Sequence, residues 1–334
     1  MGHGSDVAEQ AMGLLEQLTG GLRGRDRGLL EVWPLTRYAA FLDRYPRMAA
    51  LEYRSSEVKG ACAAISSAVG DAGLDLYHRT LLLALLVRAT RALPHRGLPE
   101  DIELLYERNY ARIVHDIESS LERPTLYLYP VSPFCKDLAL CTFRLIPAGV
   151  EKVHLARLPR RMYVAAGLRG VLDALRFAPP TQRGLGPFYQ MHLHSQDAEA
   201  MRAFNPRGWA EFYLRIAELL RRDPRMKGVF GASWFRDPAL SSISPHLTRL
   251  TTMVTDHGGR LFPLGPCGAD GIRDAMAKSK TRRRLYEGGA YRPMNYLLVW
   301  PRDELLAWAD AGPELDSYPG EYVRAPAGER AGEE

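Results

Sequence analysis

Two histidines spaced two apart, His192 and His194, are the residues of this chain most able to move a proton. They lie in the run 188–194, Phe-Tyr-Gln-Met-His-Leu-His. If this run is a strand, its side chains point alternately to opposite faces. Tyr189, Met191 and Leu193 then share one face, and Gln190, His192 and His194 share the other. Neutral imidazoles on one face suit a general base near physiological pH, for instance one that takes the proton of an attacking amine. The same spacing also suits two ligands of a metal ion, with Asp197, His246 or His257 as a third. A polar strand face with satisfied histidines is the plain structural alternative.

A turn and a helix must follow to position these residues. Gly208–Arg222 carries Trp209, Phe212, Ile216, Leu219 and Leu220 at helical spacing, which gives one apolar stripe. Lys227–Phe235, bounded by Pro224 and Pro238, reads as a buried strand. Between the two strands stands the turn Asn205-Pro206-Arg207-Gly208-Trp209-Ala210. The first amides of a helix lack partners inside it and carry partial positive charge, so a phosphate or pyrophosphate fits there. A glycine at that place lets a ligand approach the backbone.

The pattern Asn205-x-x-Gly208-x-Ala210 between a strand and a helix resembles the acyl-CoA loop of the GNAT acyltransferase superfamily, which reads Gln/Arg-x-x-Gly-x-Gly/Ala. Asn205 departs from that pattern. The resemblance covers roughly residues 185 to 265. It implies an α/β fold, a GNAT-like mixed sheet with flanking helices, and transfer of an acyl group from a CoA or carrier-protein thioester to an amine. Asn205, Arg207, Gly208, Trp209 and Ala210 would hold the cofactor. Gln190 and Trp234 would contact substrate, with His192 or His194 as the base. The tyrosine that often protonates the leaving thiolate in this family has no counterpart in Pro245–Val254; His246, Ser244 or Tyr291 stand as replacements.

The chain has 334 residues, 46% of them apolar, enough for a sizeable core and more than one minimal domain. The net charge of +5 suits anionic small molecules and is too small to argue for nucleic acid. Arginine outnumbers lysine, as in chains from GC-rich bacterial genomes. Cys62, Cys135, Cys141 and Cys267 have no CxxC spacing, so reduced thiols are expected, with no disulfide framework and no zinc knuckle. The acidic, polar start lacks the regions of a signal peptide. The most apolar run, Leu81–Val87, is far short of the roughly 20 residues that span a bilayer. These features predict a cytoplasmic protein. No Gly-x-Ser-x-Gly elbow, Walker loop or Rossmann fingerprint is present.

Three segments are expected. Residues 1–122 read as a helical region: Val7–Leu18 ended by Gly20-Gly21, Thr36–Tyr45, Ser55–Val69, Asp75–Leu93 and Pro99–Leu121. Residues 123–311 read as the GNAT-like α/β domain. Its strands are expected at Thr125–Pro130, Leu140–Ile146 and Lys152–Leu155, ahead of a helix at Arg161–Phe177. Further helices are expected at Ser244–Val254, Ala269–Arg284 and Asp303–Trp308, and further strands at Arg260–Leu264 and Tyr296–Trp300. Residues 312–334, rich in Gly, Pro and charge, read as a mobile tail. The run 278–284, Lys-Ser-Lys-Thr-Arg-Arg-Arg, is the densest basic cluster. It could meet the 3′-phosphate of CoA or the acidic face of an acyl carrier protein, or simply be a solvated face.

The expected activity is a biosynthetic N-acyltransferase without a metal. Its partners would be a small-molecule amine and possibly a carrier protein. The alternatives are a metal-dependent enzyme on His192 and His194, and a non-catalytic protein that binds CoA or lipid.

Overall fold

The computed structural model describes residues 3–26, 28–123, 126–163, 175, 177, 186–193, 198–277 and 279–318. The chain divides into two compact units. One is Met1–Ala148 with Lys152–Ala156; the other is Gly149–Glu151 with Arg157–Glu334. The first unit thus extends past the expected boundary at residue 122.

The first unit is mainly helical: α1 (His3–Arg25), α2 (Leu29–Val32), α3 (Leu35–Arg44), α4 (Ser56–Ala92), α5 (Glu100–Ser119) and α6 (Ser132–Cys141). Helix α1 does not stop at Gly20-Gly21. Its buried stripe of Ala11, Leu14, Leu18 and Leu22 continues through the glycines. Two glycines cost a helix about 1 kcal/mol each. Burying Leu22 returns about 1.5–3 kcal/mol, and the extra turn keeps its own backbone hydrogen bonds. Helix α4 unites the two helices expected at 55–69 and 75–93. Ser55 caps it, accepting from the Val58 amide at 3.1 Å. Its one non-helical residue is Gly70, at φ 71° and ψ 174°, where the helix kinks.

A buried ion pair ties α4 to the chain that follows α5. Arg79 Nε donates to Asp75 Oδ2 at 2.6 Å, and both side chains are almost wholly buried. Arg79 also donates to Ser120 Oγ at 2.8 Å and to the Arg123 carbonyl at 2.7 Å. Asp75 Oδ1 accepts from the Tyr127 amide at 2.6 Å. His78 Nδ1 lies 2.6 Å from the Tyr127 carbonyl, so Nδ1 carries the proton and donates it.

Two expected strands are not strands. The described part of 125–130, from Leu126 on, is irregular chain held by these bonds. The apolar run after Pro133 forms α6, with Phe134, Cys135, Leu138, Ala139, Leu140 and Cys141 all buried. Only Leu140 and Cys141 of the expected strand 140–146 fall in this helix, at the end of an apolar run, Leu138–Cys141, too short to show a period. The chain then turns at Phe143, φ 54°. Arg144 Nη2 bonds to the carbonyls of Pro46 and Ala49 at 3.1 and 2.9 Å. Only a short antiparallel pair remains, β1 (Ile146–Pro147) with β2 (Lys152–Ala156), in register Ile146 to Val153.

The second unit contains β3 (Phe188–His192), α7 (Ala198–Arg202), α8 (Pro206–Arg222), β4 (Gly228–Ser233), α9 (Leu240–Ile243), α10 (Arg249–Thr255), β5 (Arg260–Pro266), α11 (Ala269–Ala277), α12 (Lys280–Glu287), β6 (Met294–Pro301) and α13 (Arg302–Asp310). Its strands lie in the order β3-β4-β6-β5. β3 and β4 run parallel, Tyr189 beside Val229 and Gln190 beside Phe230. A parallel pair needs a crossover, and α7 and α8 supply it. β6 is antiparallel to both β4 and β5. The fold class is therefore mixed α/β with a helical N-terminal region.

Helix α8 buries Trp209, Phe212, Tyr213, Ile216 and Leu220, as its spacing predicts. Tyr213 meets Trp300 of β6 edge-on at 4.9 Å, and Trp300 meets Trp308 of α13 at 5.1 Å. The Trp300 indole donates to the His257 carbonyl at 2.9 Å, so even this buried ring has its partner.

The helix expected over 244–254 opens with a 3₁₀ turn, Pro245–Leu247, before α10. That expected over 269–284 is two helices. Ser279 starts the second, accepting from the Arg282 amide at 3.2 Å. Most of the helix expected at 161–177 and most of the tail lie outside the described residues; Arg160–Tyr163, at the start of that helix, form a 3₁₀ turn. No helix among the described residues is long and apolar enough to cross a membrane.

Candidate functional site

A cavity of about 800 Å³ opens in the second unit, at the C-terminal ends of the parallel pair β3 and β4. In open α/β sheets that end of the strands is where ligands bind. Met191 and Leu193 line it from β3 and the residue after it, and Gly231, Ala232 and Ser233 from β4. Met201, Phe204, Trp234, Phe235 and Leu247 make most of the remaining wall apolar.

Two arginines stand in this wall. Arg236 is 3% exposed, and Arg282 is 4% exposed. Arg236 Nη1 donates to the Gly231 carbonyl at 3.2 Å, and Nη2 lies 3.7 Å from Met191 Sδ. Its guanidinium sits over the rings of Phe235 and Trp209, at 5.4 and 5.7 Å. Arg282 Nε donates to the Ala275 carbonyl at 2.7 Å, and Nη1 to Ser244 Oγ at 2.8 Å, while the guanidinium lies 4.8 Å from the Trp234 ring. Neither arginine forms an ion pair with a carboxylate among the described residues. Burial lowers the pKa of Arg282 from its ordinary value, yet a guanidinium keeps its proton in proteins. Two buried guanidiniums out of contact with any carboxylate among the described residues carry a desolvation cost, which the buried Glu151 carboxylate and Asp274 in the same cavity wall offset in part. An anion entering the cavity would relieve it.

Local sequence explains these positions. Trp234–Arg236 forms a 3₁₀ turn directly after β4, which turns Arg236 back beneath the strand end. Gly231 makes room for it. A Cβ there would lie 2.9 Å from Met191 Cβ and Cε and 3.4 Å from Arg236 Nη2. The Ser279 cap sets the start of α12, so that its third residue, Arg282, points inward. His246 lies at the open side of the cavity. Its pKa is lowered by partial burial and by the charge of Arg282, so its imidazole is neutral at physiological pH. Asp274, Glu151 and Asn295 also reach the cavity wall.

The alternation expected for β3 is present, but the cavity takes the other face. Met191 and Leu193 line it, whereas Gln190 and His192 do not. A cavity wall that is more apolar than polar takes the apolar side of this strand. His194 and Asp197 lie outside the described residues. Trp234 does line the cavity.

The turn at Asn205–Ala210 is also built differently. Asn205 Oδ1 accepts from the Gly208 amide at 2.9 Å, and the Trp209 amide bonds to the Asn205 carbonyl at 3.0 Å. A Cβ on Gly208 would lie 2.0 Å from the Ala203 carbonyl oxygen. The glycine thus admits the chain's own backbone, and the side chains of Asn205, Trp209 and Ala210 are buried. Arg207 is exposed and pairs with Glu211 at 3.3 Å and Asp316 at 3.5 Å. Among these positions none lines the cavity; Phe204, just before them, does.

Sequence reasoning missed Arg236 and Arg282 as site residues. Arg236 follows Trp234-Phe235 inside an apolar segment, a signal for a buried guanidinium. Arg282 gave no such signal within a run of cations. Among the described residues no group of three or more His, Cys, Asp or Glu side chains gathers as metal ligands would. All four cysteines are unbonded thiols.

No family model matches this chain, and no curated protein matches it. Among solved structures it is similar to an acyltransferase in complex with decanoyl-CoA and teicoplanin. The identity is 13% and the TM-score 0.44, over 86% of this chain and 99% of that one. A mutant acyltransferase in complex with octanoyl-CoA matches at 14% identity and TM-score 0.44, over the same shares. An acyltransferase in complex with CoA and 10C-teicoplanin matches at 14% and 0.44, over 82% of this chain and 87% of that one.

Proposed function

We propose that the second unit binds an acyl thioester of CoA in this cavity and transfers the acyl group to an amine. One observation carries the reading: two buried arginines without a contact ion pair to a carboxylate among the described residues stand in a cavity, part apolar and part polar, at the ends of parallel strands. An acyl thioester needs such a mixture, with apolar wall for the chain and cationic groups for the phosphates or the developing oxyanion.

In this reading the amine attacks the thioester carbonyl, and a C–N bond forms. His246 takes the proton the amine loses. The C–S bond then breaks, and the same proton passes to the departing sulfur, giving an amide and free CoA thiol. The neutral imidazole of His246 suits the first step, and the imidazolium it becomes suits the second. His246 therefore takes the place first assigned to His192 and His194, and Trp234 keeps its place against substrate.

The test is release of free thiol from decanoyl-CoA across a panel of primary amines, with CoA binding measured by calorimetry. Amine-dependent thiol release, with KM for decanoyl-CoA raised in Arg282→Met, is expected. No thiol release above hydrolysis, together with no CoA binding, would sink the reading.

A further inference from the structure

We propose that the exposed face of α12 docks an acidic acyl carrier protein, so that the donor thioester reaches the cavity on a phosphopantetheine arm. This rests on the acyl-transfer reading above and names the partner that delivers its donor.

Helix α12 presents two kinds of charge. Arg282 points inward to the cavity and is buried. Lys280, Arg283 and Arg284 are exposed, and their spacing of three and four residues puts them on one face. None of the three forms an ion pair with a carboxylate among the described residues, although arginines elsewhere on the surface do, such as Arg44 with Glu57 and Arg88 with Asp43. Arg283 has one weak bond, to the Met276 carbonyl at 3.4 Å. Glu287 is the carboxylate that shares this face, at its far end. Tyr286, 36% exposed, adds an aromatic ring beside it.

The three cations are exposed and none of them lines the cavity. A single nucleotide is enclosed by a concave site; three cations on the outside of one helix complement an acidic helix instead. The location fits the delivery of a thioester. The cap of α12, Ser279, and its third residue, Arg282, both belong to the cavity wall. A carrier resting on the outer face of this helix would have its arm at the cavity's edge. Charge complementarity of this kind steers encounter and makes it salt-dependent.

The experiment uses the whole chain with two donors, decanoyl-CoA and the same acyl group on an acyl carrier protein. The variant reverses three charges, Lys280→Glu, Arg283→Glu and Arg284→Glu, and its melting temperature is measured to confirm folding. KM for the carrier-borne donor is expected to rise about tenfold or more, with KM for decanoyl-CoA unchanged. In wild type, raising ionic strength should weaken use of the carrier and spare that of CoA. An unchanged KM for the carrier overturns the proposal. An equal rise for decanoyl-CoA also overturns it and makes the face a nucleotide site. If wild type uses neither donor, it is the acyl-transfer reading that fails, and direct binding of the charged carrier at low salt decides the docking. Binding lost in the triple variant then supports it, and no binding by wild type overturns it.

Discussion

Arg282 Nη1 donates to Ser244 Oγ at 2.8 Å, and Ser244 is the one side-chain hydrogen-bond partner this buried guanidinium has among the described residues. The hydroxyl neutralises no charge. It holds the fork in place and leaves the positive field to the cavity. Arg282→Met should lower the affinity for CoA about tenfold or more, as expected for losing one charge-assisted hydrogen bond of about 1.5–3 kcal/mol. Ser244→Ala should cost less, because the charge remains. Calorimetry on both variants checks the order.

The proton transfer assigned to His246 gives a pH signature. Its pKa is lowered, by partial burial first and by Arg282 second. The neutral, working form therefore gains as pH rises, and the rise should end below the ordinary histidine range. His246→Gln should lower kcat roughly a hundredfold and abolish that limb. His192→Ala should leave the profile of kcat against pH as in wild type; a flattened profile in that variant would return the base to β3.

Gly208→Ala should destabilise the second unit by roughly 2–4 kcal/mol, since something must move to clear the Ala203 carbonyl. Chemical denaturation measures it. Protein that still folds should bind CoA as wild type does, because the turn does not line the cavity.

In the first unit, burial pushes the pKa of His78 down to about 4, against smaller opposing effects of the Tyr127 carbonyl and Asp75. Its neighbours also include Tyr38 at 3.3 Å and Cys62 at 3.8 Å. The folded chain binds this proton less readily than the unfolded one. His78 thus contributes its full stability above pH 6.5 and loses it as pH falls toward 4. A displacement of that size corresponds to about 3 kcal/mol. His78→Gln should lack that slope in denaturant unfolding followed over this pH range.

The sequence announced elements whose apolar residues keep a period. Helix α8, with its stripe from Trp209 to Leu220, was legible, as were α5 and the strands β4 and β6. The expected strand Leu140–Ile146 took in the last two residues of α6, Leu140 and Cys141, because the short apolar run Leu138–Cys141 has no period to read. The end of α1 was misplaced because glycine propensity is a local cost and Leu22 is a tertiary gain. The site was half legible. Trp234 was found, and the alternation along β3 was right. Which face met the cavity depended on Gly231 and on Arg236 folding back beneath it, neither of which a strand pattern contains.

The four thiols differ in exposure. Cys135, Cys141 and Cys267 are buried, while Cys62 is partly open, and burial raises its pKa above the usual thiol value. A maleimide dye near neutral pH should therefore label Cys62 first, and slowly, because its thiol holds its proton. The chain comes with a ready-made attachment point for fluorescence on the first unit, and the cavity-lining residues of the second stay unmodified.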